Sequence, residues 1–405
     1  MIFLTLIGHI MIINFKLKSL LTVALLVSFS SFAKENSSHA PEATAAEAKI
    51  SYRDLPNLEK AFIDSAPADR NDGLAVGELG VDGGNKDIVI KLAKEIADNN
   101  HGDYDSLLIA HKGKLMFESY YKRGRINLPH FQSSATKGYT SLLLGRAIQL
   151  GYLTMADLDK PLVSFLTGLD PTKFVDGVEK ITLHQALTMR SGLRFSDEEN
   201  VKFRENPEIF KGLDQVQAFL ELSEPVTSRS QIYKYQGPDP IMVMQVLDTV
   251  VPGSAKDFIK NEFLGKLGIT NYKWRDDKSG LPIGDGRLSM TSRDMLKLGV
   301  LVTDDGQWNG EQLLSADYLA KATSAITRAT ENWQEPETFF YGYLWYQTDV
   351  AVKDKSYDVK VAWGGGGNRV ISIEALNLVV VITGYDMEDK IFTQVAEKIL
   401  PAFVK

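Results

Sequence analysis

A serine and a lysine three positions apart, Ser134 and Lys137, stand where a run of helical periodicity begins. On a helix, residues at this spacing are neighbours on one face, so the lysine amine can reach the serine hydroxyl. A free serine is a weak nucleophile, and a neutral lysine amine could accept its proton. The backbone N–H groups at a helix N-terminus would also stabilise a developing oxyanion. The pair therefore predicts acyl transfer to a serine.

The same spacing occurs twice more in the chain, and neither copy suits this chemistry. Ser31 and Lys34 lie at a predicted cleavage site near the N-terminus. Ser119 and Lys122 fall on a predicted strand, where residues three apart point to opposite faces. An isolated Ser-x-x-Lys is usually an ordinary polar helix start. The assignment therefore depends on the rest of the chain.

Other catalytic patterns are missing from the sequence. There is no cysteine, which excludes disulfides, thiolate zinc sites and a cysteine nucleophile. No His-Glu-x-x-His pair occurs, and no serine lies in a Gly-x-Ser-x-Gly elbow that would let His184 complete a triad. The glycine run 364–367 is not followed by Lys-Ser or Lys-Thr, which argues against a phosphate loop. We therefore expect no metal and no cofactor.

The composition indicates an acidic globular protein. Hydrophobic residues make up 44% and charged residues 24% of 405 positions, enough for a large core. The formal charge is −7, so no basic excess is available to neutralise phosphates. We expect a small-molecule substrate and no nucleic-acid partner.

The N-terminus predicts export. Two lysines, Lys16 and Lys18, precede an apolar run from Leu20 to Phe29 and a small-residue site at 31–33. This is the pattern of a cleavable signal peptide over 1–33, and the apolar run is short for a membrane anchor. Its removal would change the formal charge from −7 to −9. We expect a periplasmic or secreted protein without a stable membrane anchor, with Met11 as an alternative start to Met1.

Periodicity beyond this leader predicts an α+β domain. The polar stretch 34–48 is interpreted as a linker, and the domain would cover 49–405. A helix through 86–98 and a hairpin turning at His111-Lys112-Gly113 would open it. Helical patterns dominate from about 161 to 270, and strands return after Gly284. The simplest topology is an antiparallel sheet flanked by helices, built from both chain ends, with a helical lobe inserted between them.

Several segments resemble one known family in the same order. FQSSATKGYTSLLLGRAIQLGYLT, around Ser134 and Lys137, resembles the nucleophile helix of the β-lactamase-related serine hydrolases. That family contains class C β-lactamases, D-alanyl-D-alanine peptidases, family VIII esterases and 6-aminohexanoate-dimer hydrolases. The later segments ITLHQALTMRSGLRF, GDGRLSMTSRDMLKLGVLV and AWGGGGNRVISIEAL are also similar to it. The resemblance runs from about Ser106 to the C-terminus and implies a β-lactamase or penicillin-binding-protein-like fold.

The resemblance implies a tyrosine that relays protons at the serine. IYKYQGPDP offers Tyr235 for this role, with Tyr233 as a rival. The β-lactamases and peptidases of the family carry asparagine two positions later, where this chain has Gly237. The departure favours the esterase and amide-hydrolase branch.

The family's third motif, a basic residue, a small residue and glycine, falls on 362–364. Ala362 then takes the basic position, so the usual partner of a substrate carboxylate is missing, although Arg369 is near in sequence. The resemblance implies an oxyanion hole formed by the backbone N–H groups of Ser134 and Gly365. The predicted substrate-binding residues are Trp345, Trp363, Gly364 and Gly366.

The sequence thus predicts a serine hydrolase that forms an acyl-enzyme on Ser134. Lys137 would be the base, Tyr235 the proton relay, and small esters or amides the substrates. One alternative is a D-alanyl-D-alanine peptidase or β-lactamase that uses the same serine. Another is a catalytically silent binding module on this fold, since a fold does not guarantee turnover.

Overall fold

The computed structural model describes residues 39–205, 211–330, 339–386 and 390–404. The predicted signal peptide lies outside these residues. The strands are β1 Phe62–Asp64, β2 Ala75–Val76, β3 Tyr104–His111, β4 Lys114–Tyr120, β5 His130–Phe131, β6 Tyr272–Trp274, β7 Leu288–Met290, β8 Gln307–Trp308, β9 Glu311–Gln312, β10 Thr327–Arg328, β11 Phe340–Tyr341, β12 Tyr346–Val352, β13 Lys355–Gly364, β14 Asn368–Ile373 and β15 Leu378–Gly384. The α-helices are α1 Lys86–Ala97, α2 Ala135–Gln149, α3 Leu183–Leu187, α4 Asp197–Glu205, α5 Gly212–Leu222, α6 Pro238–Val250, α7 Ala255–Phe258, α8 Ser292–Thr303, α9 Ala316–Ala322, α10 Ile391–Gln394 and α11 Leu400–Phe403.

The main sheet joins the two ends of the domain. Its strand order is β1-β4-β3-β15-β14-β13-β12-β11-β10, with β2 added beside β4. Neighbouring strands of this sheet are antiparallel except β2 with β4. The strands from the two chain ends meet where β3 pairs with β15, in a register that places Ile109 opposite Val380. All residues of β3, β14 and β15 are buried, so both faces of the sheet centre are covered.

Two helices lie close on one face of this sheet. α8 packs on β14 and β15 at Gly299, where an added Cβ would lie 2.3 Å from Val379 Cγ1. α2 packs on β13 at Gly138, where an added Cβ would lie 3.2 Å from the Cβ of Ala362. At Gly299 the helix lies closer to the sheet than any side chain would permit, and at Gly138 a side chain would fit only tightly. The position of α2 on the sheet is therefore fixed by contact with β13.

The inserted segment between β5 and β6 is largely helical, as its periodicity predicts. α3 to α7 lie in this part of the chain. α5 and α6 bury Val216, Phe219 and Leu247, among others, in the same hydrophobic core as the sheet. The lobe and the sheet therefore share one core rather than forming separate ones.

One local prediction differs from the structure, the linker over 34–48. Elsewhere, the strands β11 and β12 are separated by a turn at which Leu344 has φ +61°. The described part of the predicted linker contacts the domain, because Ala43 N–H donates to Asn127 Oδ1 (2.7 Å) and Arg125 Nη2 donates to Glu47 Oε1 (2.9 Å). Hydrogen bonds therefore hold the described part of this stretch against the domain.

Among the described residues, no helix has the length and apolar character needed to cross a bilayer.

Candidate active site

Ser134 lies at the N-terminus of α2, directly before its first helical residue. The residue before it, Ser133, has φ +50°, a left-handed conformation that non-glycine residues seldom adopt. Thr136 Oγ1 donates to the Ser133 carbonyl at 2.7 Å and helps to hold this turn. Such strain is retained where the surrounding structure requires it, often at functional sites. The turn leaves Ser134 partly exposed while the helix that follows is buried.

The side chain of Lys137 reaches back to Ser134. Lys137 Nζ donates to Ser134 Oγ at 3.2 Å and to the backbone carbonyl of Asp285 at 2.6 Å. Lys137 is only 5% exposed. One helical turn therefore delivers the serine–lysine contact, as the spacing predicts, and a distant segment fixes the amine.

Tyr235 covers the lysine. Lys137 Nζ lies 4.9 Å from the centroid of the Tyr235 ring. The ring is partly exposed and packs against Tyr341 and Tyr346. The rival Tyr233 is buried against Tyr341. Of the two tyrosines, Tyr235 is the one shown in contact with the amine.

The turn between β13 and β14 borders the serine. Gly364 lies so close to the segment before α2 that an added Cβ would be 2.1 Å from the Gln132 carbonyl oxygen. An added Cβ at the exposed Gly365 would lie 3.4 Å from Ser133 Oγ. Gly366 and Gly367 follow with φ +84° and +86°, which only glycine adopts at little cost. The glycine run thus makes a tight turn that meets the chain just before Ser134.

Two backbone donors are available there. Within the described part of the chain, neither the N–H of Ser134 nor that of Gly365 donates a hydrogen bond. Both belong to the segments that meet at Ser133. They are the two amides assigned to the oxyanion hole by resemblance, and their roles stay predictions.

The two predicted pocket tryptophans lie on different sides of the main sheet, and their substrate-binding roles stay predictions. Trp345 is completely buried, and its Nε1 donates to the Gly138 carbonyl at 3.0 Å, so it supports α2 from behind. Trp363 alternates with Ala362 along β13 and therefore points to the sheet face opposite α2. There its ring packs on Phe339 and Phe392. Trp363 is half-buried, and its ring also lies 5.7 Å from that of Tyr346, which stacks on Tyr235.

Arg369 also has a structural position. It is 2% exposed, with its guanidinium 4.1 Å from the Trp363 ring centroid. Its Nη1 donates to the carbonyls of Gly364 and Asn368. Arg369 thus holds the glycine turn from the far side of the sheet and offers no charge to a substrate.

Asp285 is a site residue that the sequence reasoning missed. Its carbonyl binds Lys137, and an added Cβ at Gly237 would lie 2.8 Å from its Oδ2. A cavity of about 490 Å³ opens beside it, lined by Gly237, Pro238, Asp285, Ile241, Phe203 and Phe219 among others. The carboxylate therefore occupies the space next to position 237. No local pattern in the sequence links position 285 to 137 or 237. Only the order of the family-like segments could have indicated that they meet.

Asp239 is a second missed residue, fully buried in the first turn of α6. Its Oδ1 accepts from Ser191 Oγ at 2.6 Å and from Gln236 Nε2 at 2.9 Å. Burial raises the pKa of Asp239 to about 7, and these hydrogen bonds only partly offset the cost of desolvating the charge. The carboxyl thus anchors the 235–237 segment.

This burial predicts a pH-dependent stability. Because the folded pKa of Asp239 lies above its ordinary value of 3.8, the folded state keeps the proton while the unfolded state loses it. The contribution of protonated Asp239 to the free energy of unfolding should be lost as pH rises from about 4 to about 7, and it should stay lost at higher pH. Asp239→Asn keeps the shape of the side chain and cannot ionise. Relative to wild type, its free energy of unfolding should therefore increase by on the order of 4 kcal/mol between pH 4 and pH 8. Urea unfolding of both proteins across this pH range measures the difference. If the free energies of unfolding of the two proteins changed in parallel with pH, the expectation would be contradicted.

His184 does not join the serine. Its Nδ1 lies 2.8 Å from Tyr343 Oη, and burial lowers its pKa. Over the described ranges, no group of three or more histidine, aspartate or glutamate side chains is placed to hold a metal ion.

Comparisons with known proteins agree with this architecture. The family model described as beta-lactamase matches residues 92–389. A penicillin-binding protein homologue from Caulobacter crescentus is similar in structure, with 12% identity, coverage of 84% of this chain and 100% of that one, and a TM-score of 0.61. A class C β-lactamase has 16% identity, coverage of 79% of this chain and 96% of that one, and a TM-score of 0.57. A D-stereospecific amidohydrolase from a Streptomyces species has 16% identity, coverage of 76% of this chain and 97% of that one, and a TM-score of 0.55.

The curated proteins yield no significant match to the sequence. At the sequence identities found for the solved structures, the similarity is evidence for the fold alone. It confirms the predicted α+β class with its antiparallel sheet, flanking helices and helical insertion. The motif-based resemblance is confirmed by the family match.

Proposed function

Since the chain belongs to the beta-lactamase family of serine hydrolases, we propose that it forms an acyl-enzyme on Ser134 and hydrolyses small esters or amides. The observation that carries this proposal is the 3.2 Å hydrogen bond from buried Lys137 Nζ to Ser134 Oγ at a helix N-terminus. A nucleophile within hydrogen-bond reach of its base, with that base oriented by a third group, is the arrangement needed for covalent catalysis. Here the Asp285 carbonyl orients the base.

The reaction would begin with attack of Ser134 Oγ on the substrate carbonyl carbon while Lys137 takes the hydroxyl proton. The N–H groups of Ser134 and Gly365 would receive the oxyanion. As the tetrahedral intermediate collapses, the Tyr235 hydroxyl would give its proton to the leaving oxygen or nitrogen and would be reprotonated from Lys137. Water would then attack the acyl-enzyme while Lys137 takes one of its protons, and this proton would pass to Ser134 Oγ as the acid leaves.

Two residues favour esters or simple amides over β-lactams. Position 237 is glycine, and the space beside it faces the carboxylate of Asp285 instead of an amide side chain. Position 362 is alanine, 1% exposed and packed on α2, so it supplies no cation for a substrate carboxylate. Because a β-lactam presents its carboxylate next to the scissile bond, the lack of this cation lowers its expected affinity.

Turnover of two chromogenic substrates separates the candidates. We expect hydrolysis of short-chain p-nitrophenyl esters and little hydrolysis of nitrocefin. Rapid nitrocefin turnover with slow ester turnover would move the assignment to a β-lactamase. If neither substrate reacts and a fluorophosphonate leaves the intact mass unchanged, the chain is a silent binding module.

Removal of the phenolic hydroxyl tests the proton relay. Tyr235→Phe should lower kcat for an alkyl ester, whose leaving alkoxide needs a proton, by about 100-fold, because a positioned general acid or base contributes about 10²-fold or more. The matched control is Tyr233→Phe, whose ring is buried beside the site, and its kcat should change little. Steady-state kinetics of both variants checks this. Equal losses in the two variants would show that the hydroxyl of Tyr235 has no special role.

We also propose that the chain is exported to the periplasm or beyond, as a mature domain without residues 1–33. The support is the charged, apolar and small-residue order of that segment in the sequence. N-terminal sequencing of protein recovered from the periplasmic fraction should begin at Lys34. Recovery of the uncleaved chain in the cytoplasm would contradict export.

A further inference from the structure

A small sheet beside the nucleophile carries a group of cations on one face. In this sheet, β7 lies between β5 and β6, with Phe131 opposite Ser289 and Lys273 opposite Ser289. Side chains two positions apart on a strand point to the same face. Continuing the register by two residues therefore adds Arg275 and Arg287 to the face that holds Phe131 and Lys273.

These cations line a cavity. Its volume is about 320 Å³, and its lining residues are Phe131, Lys273, Trp274, Arg275, Arg287 and Ser289. The lining thus combines three cationic side chains with the aromatic ring of Phe131 and contains no acidic residue. Such a surface favours an anionic group attached to an apolar or aromatic body.

The cations are not neutralised by neighbouring acids. In the part of the chain that the structure describes, Lys273, Arg275 and Arg287 form no salt bridge. All three are exposed. Of the acids that follow Arg275, Asp276 pairs with Lys256, and Asp277 accepts from the backbone of Gly212 and Ser279. Three unpaired cations together are unusual on a chain whose formal charge is −7.

The same face continues to the nucleophile. Gln132 N–H donates to the Leu288 carbonyl at 2.9 Å, and an added Cβ at Gly286 would lie 3.8 Å from the Ser133 carbonyl oxygen. The register therefore brings Arg287 opposite Ser133, the residue before the nucleophile. Arg287 has φ +70°, so both facing residues hold a strained backbone. Two lining residues of the cationic cavity, Phe131 and Arg287, thus lie next to the segment that leads into Ser134.

We propose that Lys273, Arg275 and Arg287 form a subsite that binds a carboxylate of the ester or amide substrate. This inference rests on the proposed function and narrows its substrate class to compounds with a carboxylate at some distance from the scissile bond. The subsite supplies from β6 and β7 the positive charge that Ala362 cannot supply from β13. The aromatic lining would contact the body that carries the carboxylate.

Matched substrate pairs test the subsite. The first pair is mono-(p-nitrophenyl) glutarate and its neutral methyl ester, which differ on the acyl side. The second pair is 4-acetoxybenzoate and its methyl ester, which differ on the leaving-group side. In at least one pair, kcat/KM should favour the anion, and in Arg275→Gln/Arg287→Gln this preference should fall about tenfold, since each exposed ion pair contributes up to several-fold. The preference should also shrink between about 20 and 300 mM NaCl because salt screens exposed charges.

The matched control is Lys266→Gln, an exposed cation outside the cavity, which should keep the wild-type preference. The subsite is overturned if wild type shows no preference for either anion, or if the double variant keeps the preference. Calorimetric titration of 4-hydroxybenzoate into Ser134→Ala, with and without the two arginine changes, separates this from the proposed function. Binding that disappears with the arginines supports the subsite even if no ester is hydrolysed, whereas equal binding of inorganic phosphate overturns a carboxylate site.

Discussion

Replacing Ser134 with alanine is expected to lower kcat/KM for a short-chain p-nitrophenyl ester by roughly 10⁴-fold or more, because loss of a covalent nucleophile removes the whole acylation route. The same change should abolish the single fluorophosphonate adduct in the intact mass. The fold should persist, since Ser134 is partly exposed and lies before the first helical residue of α2. Thermal unfolding of the variant checks that point.

The chain contains its own control for this substitution. Ser119 has the same spacing to a lysine, but its Oγ is buried on β4 and donates to the Leu107 carbonyl at 3.0 Å. Ser119→Ala should therefore keep both adduct formation and ester turnover. Retention of the adduct in Ser134→Ala, or its loss in Ser119→Ala, would move the nucleophile elsewhere.

Replacing Lys137 with methionine is expected to lower kcat/KM and the rate of fluorophosphonate labelling by about 10³-fold. Its Nζ is the amine hydrogen-bonded to Ser134 Oγ, and without it the hydroxyl has no adjacent proton acceptor. Methionine keeps the length of the apolar stem. The measurement is the second-order labelling rate, followed by intact mass, beside steady-state ester kinetics.

A loss of fold could imitate this result, so a lysine from the other Ser-x-x-Lys pair serves as the control. Lys122 Nζ donates to Asn99 Oδ1 and Asp103 Oδ1, both at 2.6 Å, and Lys122→Met should leave the labelling rate unchanged. Lys137→Met also leaves the Asp285 carbonyl without its 2.6 Å donor, so a moderate fall in Tm is expected. A Lys137→Met protein that folds and labels within about tenfold of wild type would remove Lys137 from the role of base.

Much of the architecture was accessible because it depends on local patterns. Period-3.6 spacing predicted α1 and α2, and apolar runs around a Lys-Gly turn predicted the β3–β4 hairpin. The docked segment 40–48 was missed because its partners, Asn127 and Arg125, lie about 80 residues away in the chain.

The same division applies to the site. The spacing of Ser134 and Lys137 was sufficient to predict their contact, because a helix fixes the distance between residues three apart. The contact of Tyr235 with Lys137 followed from family resemblance, and the structure shows it at 4.9 Å from amine to ring centroid. The contact of Trp345 with α2 could not be placed in this way, since its hydrogen bond to the Gly138 carbonyl joins segments 207 residues apart.

By itself, then, the sequence determined the class of fold, the serine–lysine pair and the absence of cysteine chemistry. Only the tertiary structure decided that Asp285 contacts Lys137 and Gly237, that Asp239 is buried beneath the tyrosine segment, and that three cations share one face beside Ser133. The physical reason is the range of the interactions. Helical and strand periodicity is set by neighbours a few residues apart, whereas these contacts depend on strand register and on packing between segments far apart in the chain, which no local pattern encodes.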